Sequence, residues 1–258
     1  MLLTGDYHTH TPYSHGKHTV AENVSRAKEL GIKEIAITDH GFSHVVYGLR
    51  RREVADYRAE CRAAEEEYGV KVLVGMESNI QGGSGKVDMR EKDYEHFDIF
   101  LCGYHIAIYY ETIGQVLSYG FGNLLLKSVF HKTTKAQLEK NTLAYINAIK
   151  KNPIDILTHI NFQCPCHSLE VAKCAADYGT YVELNAKKNH FTDDELCEMV
   201  QKTDVRFVIN SDAHSMGRVG DTKLVEEQLK RINFPLERID NIDGRKPNFR
   251  FTEYKKTH

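Results

Sequence analysis

Seven short apolar runs recur along this chain, and each leads into a polar residue at its carboxyl end: His10, His40, Glu77, His105, His159, Asn185 and Asp212. Between them lie helical patterns with recognisable stops. Thr19 can cap a helix with Val20, Val24, Ala27 and Leu30 on one face, closed by Gly31. Glu53 to Tyr68 runs into Gly69, and Ser168 to Tyr178 into Gly179. Thr133 to Lys151 is another helix, Thr192-Asp193-Asp194-Glu195 opens one to Lys202 as a capping box, and Asp221 to Ile232 is the last. This alternation predicts an α/β fold, a parallel barrel of βα units whose carboxyl face collects residues distant in sequence. A chain of 258 residues is ordinary for one such barrel, so residues 1–258 are expected to form a single domain. The longest gap follows His105. Residues 106–132, rich in Tyr and Gly, read as an insertion, equally a substrate wall or a packed structural element. Asn241 to His258 reads as an irregular tail.

The run ends carry a common chemistry. In Asp6-Tyr7-His8-Thr9-His10 two imidazoles stand one residue apart, which on a strand places them on one face and lets them grip one ion. Fourteen histidines fit a protein that needs imidazole. Imidazole with carboxylate suits Zn²⁺, Mn²⁺ or Fe²⁺ better than Mg²⁺ or Ca²⁺. The six cysteines form no disulfide framework, and Cys164-Pro165-Cys166-His167 has no second pair at zinc-finger spacing, so it reads as a loop. Likewise Gln81 to Lys86 lacks the rest of a P-loop and reads as a turn.

With 34 basic against 36 acidic side chains there is no electrostatic reason to expect nucleic-acid binding. The first residues carry no basic or long apolar leader, and no run is long enough to cross a membrane, so a cytoplasmic location is expected.

The motifs Asp6-Tyr7-His8-Thr9-His10, Thr38-Asp39-His40-Gly41, Gly75-Met76-Glu77, Gly103-Tyr104-His105, Thr158-His159 and Ser211-Asp212-Ala213-His214 together resemble the PHP (polymerase and histidinol phosphatase) superfamily over nearly the whole chain. That resemblance implies a distorted (β/α)7 barrel with parallel strands, a site for three divalent metal ions and phosphoesterase activity like that of histidinol phosphatases. Carried over by motif, His8, His10, Glu77 and Asp212 hold a first ion, and Glu77 bridges to a second held by His105 and His159. His15, His40 and His214 hold a third. His15 stands where many members have Asp, which places the chain nearer the trinuclear phosphatases than the dedicated histidine-biosynthesis enzymes.

The function so implied is hydrolysis of a small phosphate monoester by metal-bound hydroxide, with Asp212 or a metal-bound water as candidate acid for the leaving oxygen and Glu77 as the bridge. Arg218, four residues beyond His214, is the expected substrate contact. Glu183 and Asn185 are expected to orient ligands or line the barrel. His44 and the Arg50-Arg51-Arg52 triple read as a charged helix entry, while His18, His96, His131, His167, His190 and His258 read as ordinary histidines. The competing functions are a nuclease or nucleotide phosphoesterase, and a metal-stabilised scaffold without catalysis. Substrate and oligomeric state are open at this level.

Overall fold

The computed structural model describes residues 1–125 and 133–257. Its seven strands are β1 (Gly5–Asp6), β2 (Glu34–Ile37), β3 (Lys71–Asn79), β4 (Ile99–Gly103), β5 (Ile156–Leu157), β6 (Tyr181–Asn185) and β7 (Phe207–Asn210). They pair in sequence order, every neighbour parallel. A single Thr9–Ala213 bridge joins the two ends of the sheet, so the strands form a nearly closed, distorted (β/α)7 barrel. Around it run α1 (Val20–Glu29), α2 (Val54–Tyr68), α3 (Ile113–Gln115), α4 (Gly122–Leu125), α5 (Lys135–Lys151), α6 (Ser168–Tyr178), α7 (Asp193–Lys202), α8 (Lys223–Arg231) and α9 (Arg250–Thr257). No helix among the described residues is long and apolar enough to cross a membrane.

The helix stops act where the sequence places them. Thr19 and Thr192 each close a reciprocal capping box, and Gly69 and Gly179 take the left-handed conformation after α2 and α6 at φ of 66° and 67°.

Period-two alternation explains how the barrel delivers its polar groups. Leu73, Gly75, Glu77 and Asn79 share one face of β3; Ile99, Leu101 and Gly103 share one of β4. Tyr181, Glu183 and Asn185 do so on β6. At the amino ends these faces are apolar, and Ala36, Ile99, Leu101, Ile156, Tyr181 and Val208 pack with Tyr7 into a buried plug inside the barrel. The opposite faces, with Val72, Val74, Phe100, Val182 and Ile209, join the larger core beneath the helices. One strand face therefore changes from apolar to ionisable as it rises, and the ionisable end opens at the carboxyl rim.

Two expectations are corrected. Most strands stop before the motif residue: β1 ends at Asp6, β2 at Ile37 and β5 at Leu157, so His8, His10, His40 and His159 stand on the turns that follow. Of the proposed ligands only Glu77 lies within a strand, β3, which continues to Asn79, and Asn185 is the last residue of β6. The tail is irregular only over residues 241–249, and Arg250–Thr257 form α9. Phe249 packs edge-on against Tyr7 at 5.0 Å, and α9 buries Phe251 against Tyr94 and Phe100, so this segment seals the amino end of the barrel. The anchor is Asp155, whose carboxylate accepts the backbone N–H groups of Phe251 (2.7 Å) and Phe100 (2.9 Å). A chain end with so few apolar residues gives no periodic signal, and the partner carboxylate is about a hundred residues away.

In the segment after His105, Tyr104 donates to the Tyr119 carbonyl at 2.8 Å, and Tyr119 and Gly120 are buried within a π-helical turn, Val116–Phe121, between α3 and α4. Residues 126–132 of the expected insertion, with His131, and also His258, lie outside the described residues.

Candidate metal centre

The nine residues carried over by motif all gather at the carboxyl rim. His8 and His10 present their Nε2 atoms to one another at 3.1 Å, although neither belongs to a strand. What aims the rings is a hydrogen bond at the other nitrogen. His8 Nδ1 is 2.7 Å from Glu183 Oε1, and His105 Nδ1 is 2.8 Å from Asn79 Oδ1, while Asn79 Nδ2 donates to Asp88 Oδ2 at 2.7 Å. Such partners fix ring orientation and leave the opposite lone pair for an ion.

Those lone pairs converge on Glu77 and Asp212. Glu77 Oε1 lies 2.6 Å from His159 Nε2 and 3.7 Å from His105 Nε2, whereas Oε2 lies 3.5 Å from His8 Nε2 and 2.8 Å from His40 Nδ1. Asp212 Oδ1 stands 3.5 Å from His10 Nε2. The two Glu77 oxygens thus address different imidazoles, the arrangement required of a bridging carboxylate. Despite the short approach, His40 Nδ1 and Glu77 Oε2 do not align as a hydrogen bond; both are buried with no hydrogen-bond partner, as is His159 Nδ1. Buried polar atoms are rarely left so, and nitrogen and oxygen lone pairs aimed at common points fit divalent cations.

Among the described residues, four triads have donor atoms close enough to share an ion: His10, His40 and His214; His8, Glu77 and His159; His8, His10 and Asp212; and His40, Glu77 and His105. The division differs in detail from the sets implied by resemblance, since His40 sits with Glu77 and His105 as well as with His214. His15 belongs to none of these triads. Its ring stacks on His40 at 4.9 Å and meets His214 at 4.2 Å, on the outer side of the cluster.

Backbone strain is concentrated here. His159 and Asp212 have φ of 27° and 48°, left-handed values that non-glycine residues seldom adopt. The Glu183 carboxylate accepts the His159 N–H at 2.8 Å, which helps hold that turn. Gly103 is required for a different reason: a Cβ there would stand 2.2 Å from Thr158 Oγ1 and 3.0 Å from His159.

Electrostatics keeps the two carboxylates ionised and His10, His15 and His105 neutral, whereas the nearby carboxylates raise His8 and His159. Burial raises the Glu77 carboxyl, but His105, His8 and His159 more than offset this and hold it well below the ordinary range. Asp212 is likewise held down by His8, His10 and His214 against the effect of burial. Burial, with neighbouring imidazoles, pushes His10 and His105 well below the usual value and His15 to about 3. For His8 burial acts the same way but Glu183, Glu77 and Asp212 outweigh it, raising the ring. Ionised carboxylates beside neutral imidazoles are what a cation binds.

Above the cluster opens a cavity of about 370 Å³. Besides His15, His40, His105, His159, Asp212 and His214 it is lined by His44, Tyr47, Phe162, Asn185, Lys187, Lys188 and His190. His44 stacks on His40 at 4.8 Å and His190 lies 5.9 Å from His159, so two histidines read as ordinary or as part of a helix entry belong to the site wall. Arg218 does not line this cavity. Its guanidinium pairs with Asp221 at 2.7 Å and donates to the Ala186 carbonyl at 3.2 Å, whereas Lys187 does reach the cluster, with Nζ 3.3 Å from Asp212 Oδ1. Lys187 and Lys188 had no motif to reveal them; their one sequence signal is position, directly after the polar end of β6. None of residues 106–125 lines the cavity. Cys164 and Cys166 are buried free thiols outside the cluster.

A family profile described as "PHP domain" matches residues 6–187. The matched segment stops short of Asp212 and His214, which the fold brings back to the same rim. Over 99% of this chain and 96% of its own length, a protein of Acetivibrio thermocellus named "Probable phosphatase" is 30% identical. One of Shewanella halifaxensis with the same name is 30% identical over 93% of this chain and 89% of its own. Among solved structures, the histidinol phosphate phosphatase of Lactococcus lactis, crystallised with zinc, L-histidinol and phosphate, superposes with a TM-score of 0.58 at 15% identity, covering 91% of this chain and 95% of that one. That likeness is one of fold. With the profile match over most of the chain and full-length relatives at this identity, the chain belongs to the PHP domain family.

Proposed function

We propose that the chain is a metal-dependent phosphoric monoester hydrolase that acts on a small phosphorylated metabolite and uses three divalent ions, Zn²⁺, Mn²⁺ or Fe²⁺. The observation that carries this reading is the pair of Glu77 oxygens, each facing a separate set of imidazoles, with Glu77 Oε2 and His40 Nδ1 buried and unpaired. His8, His10, Glu77 and Asp212, then Glu77, His105 and His159, then His15, His40 and His214 are the proposed ligand sets. Full-length relatives named as phosphatases support the reaction class.

Bound ions supply an activated water and positive charge for the phosphoryl oxygens and leaving oxygen. The chain's own residues do the rest. Glu183 and Asn79 hold His8 and His105 in the tautomer that bares Nε2. Besides its part in the ligand set, Asp212, the only carboxylate in the cavity lining among the described residues, is the group proposed to move a proton from the attacking water to the leaving oxygen. Lys187 beside it places an ammonium where a phosphoryl group enters. The likeness to histidinol phosphatases is proposed for the reaction, not for the substrate.

Purified, metal-replete protein should hydrolyse an aryl phosphate monoester, lose this on chelation and regain it with Mn²⁺ or Zn²⁺. Folded protein that ignores monoesters and cuts single-stranded DNA would replace this reading with a nuclease.

A further inference from the structure

The turn after β6 brings two lysines to the cavity and fixes them from several sides. Asn185 Oδ1 accepts the backbone N–H of both Lys187 (3.0 Å) and Lys188 (3.1 Å), and Asn185 Nδ2 donates to Glu183 Oε2 (2.9 Å) and Asp212 Oδ2 (3.2 Å). The intervening Ala186 donates to the Asn210 carbonyl at 2.8 Å and accepts from Arg218 at 3.2 Å. The pinned backbone ties both lysines to the residues that surround the metal cluster. It also gives Arg218 a role as a positioning residue for this turn.

The charge of the lining is one-sided. It holds two ammonium groups and, among the described residues, one carboxylate, Asp212, which the proposed ligand set consumes. Lys187 Nζ lies 3.1 Å from His214 Nδ1 and 3.3 Å from Asp212 Oδ1, on the phosphoryl side. Lys188 lines the same cavity with His190 and Phe162, whose rings pack at 5.5 Å. A cationic leaving group would meet like charge there with no anion to pair with, whereas an anionic one would find a partner.

We infer that the substrate is a small phosphomonoester whose alcohol part carries a second anion, a carboxylate or a further phosphate, with Lys187 serving the reacting phosphoryl group and Lys188 the second anion. This rests on the phosphatase reading above. It separates the site from one built for an amino-alcohol phosphate.

Four two-carbon phosphates that differ in one group test it on metal-replete protein: ethyl phosphate, phosphoethanolamine, phosphoglycolate and glycol bisphosphate. The expected kcat/KM for phosphoglycolate or glycol bisphosphate exceeds that for phosphoethanolamine by roughly tenfold or more, with ethyl phosphate between. Which of the two anionic esters leads identifies the second anion. Lys188→Gln should bring the anionic-to-cationic ratio toward unity and Lys188→Arg should restore it. Calorimetry provides a readout free of turnover: phosphonoacetate should bind more tightly than aminoethylphosphonate, and less so to Lys188→Gln. Equal or better use of phosphoethanolamine would overturn the inference and leave the phosphatase reading standing. Failure to hydrolyse any of the four by folded, metal-replete protein would overturn the phosphatase reading itself, and the inference with it.

Discussion

Glu183→Gln changes one atom in a place where the protein offers only donors. Glu183 is 1% exposed; Oε1 accepts from His8 Nδ1 at 2.7 Å and Asn210 Nδ2 at 2.9 Å, and Oε2 from the His159 N–H at 2.8 Å and Asn185 Nδ2 at 2.9 Å. The asparagines are not free to turn, because Asn210 Oδ1 accepts the Tyr7 N–H at 3.0 Å and Asn185 Oδ1 serves the two lysines. Whichever way the new amide is placed, its NH₂ meets two donors. Facing His159 and Asn185, it leaves two buried N–H groups unpaired, at about 1–3 kcal/mol each. Facing His8, it can be accommodated only if His8 moves its proton from Nδ1 to Nε2, which removes the lone pair proposed to bind metal. Urea unfolding in the presence of chelator should therefore show a loss of about 2–6 kcal/mol in metal-free stability. Competition against a chromophoric chelator should show metal affinity reduced roughly 10- to 100-fold. A variant equal to the parent in both measurements would refute the assignment of Glu183 as the group that orients His8 and holds the His159 turn.

His15→Ala should retain the fold and bind one ion fewer than the parent by metal analysis, with phosphatase activity sharply reduced; unchanged stoichiometry would remove His15 from the ligand set. Gly103→Ala, which drives a Cβ to 2.2 Å from Thr158 Oγ1, should cost about 1–3 kcal/mol in urea unfolding and lower metal occupancy through His159; a neutral effect would show that the β4–β5 contact yields. Asp155 tests the closed end of the barrel. Burial, opposed by the N–H groups of Phe251 and Phe100, lifts its carboxyl to about 7. Because this lies above the unfolded value of about 3.9, the folded chain keeps an extra proton between the two. The contribution is complete below about pH 4, is lost as pH rises toward 7, and changes no further above it. Parent stability relative to Asp155→Asn should fall by up to about 1.4 kcal/mol per pH unit in that window; parallel curves would show that Asp155 titrates normally.

The barrel was legible because its strand and helix signals are written locally. The apolar run that leads into Glu77 and the capping at Thr19 and Thr192 need no distant partner. The gathering of His8, His10, Glu77, His105 and Asp212 into a cluster able to hold metal was legible because each sits in a short motif beside an apolar run. What escaped depends on tertiary encounter. His44 and His190 look like surface residues until His40 and His159 are placed beneath their rings. Asn79 orients His105 from 26 positions away. Lys187 and Lys188 became legible only once the β6 turn was seen to open into the cavity, and Arg218, on the expected side of the chain, is turned to Asp221 and the Ala186 carbonyl instead.

The same distinction explains the first motif, where aspartate and histidines divide two tasks. β1 contributes only Gly5 and Asp6 to the sheet and meets the β7 end through a single backbone bridge, so main-chain bonds alone make a weak seam. Side chains complete it. Asp6 accepts from Ser211 Oγ at 2.5 Å, the Ser211 N–H at 3.1 Å and the Gly220 N–H at 2.9 Å. Asn241 donates to the Gly5 carbonyl at 2.9 Å and the Ile209 carbonyl at 2.6 Å, spanning both strands from below. Asp6 is thus occupied in closing the barrel and lies outside the metal triads, while His8 and His10, two and four residues on, face Asp212 and His214 across the same seam. An ion held by His8, His10 and Asp212 would join the first and last strands as a cross-link and so favour the folded state by its own binding energy. A long, regular β1 ladder would have spent those residues on main-chain pairing. The short strand leaves the turn free to aim imidazoles inward, at the cost of a seam that aspartate, asparagine and the proposed ions must hold.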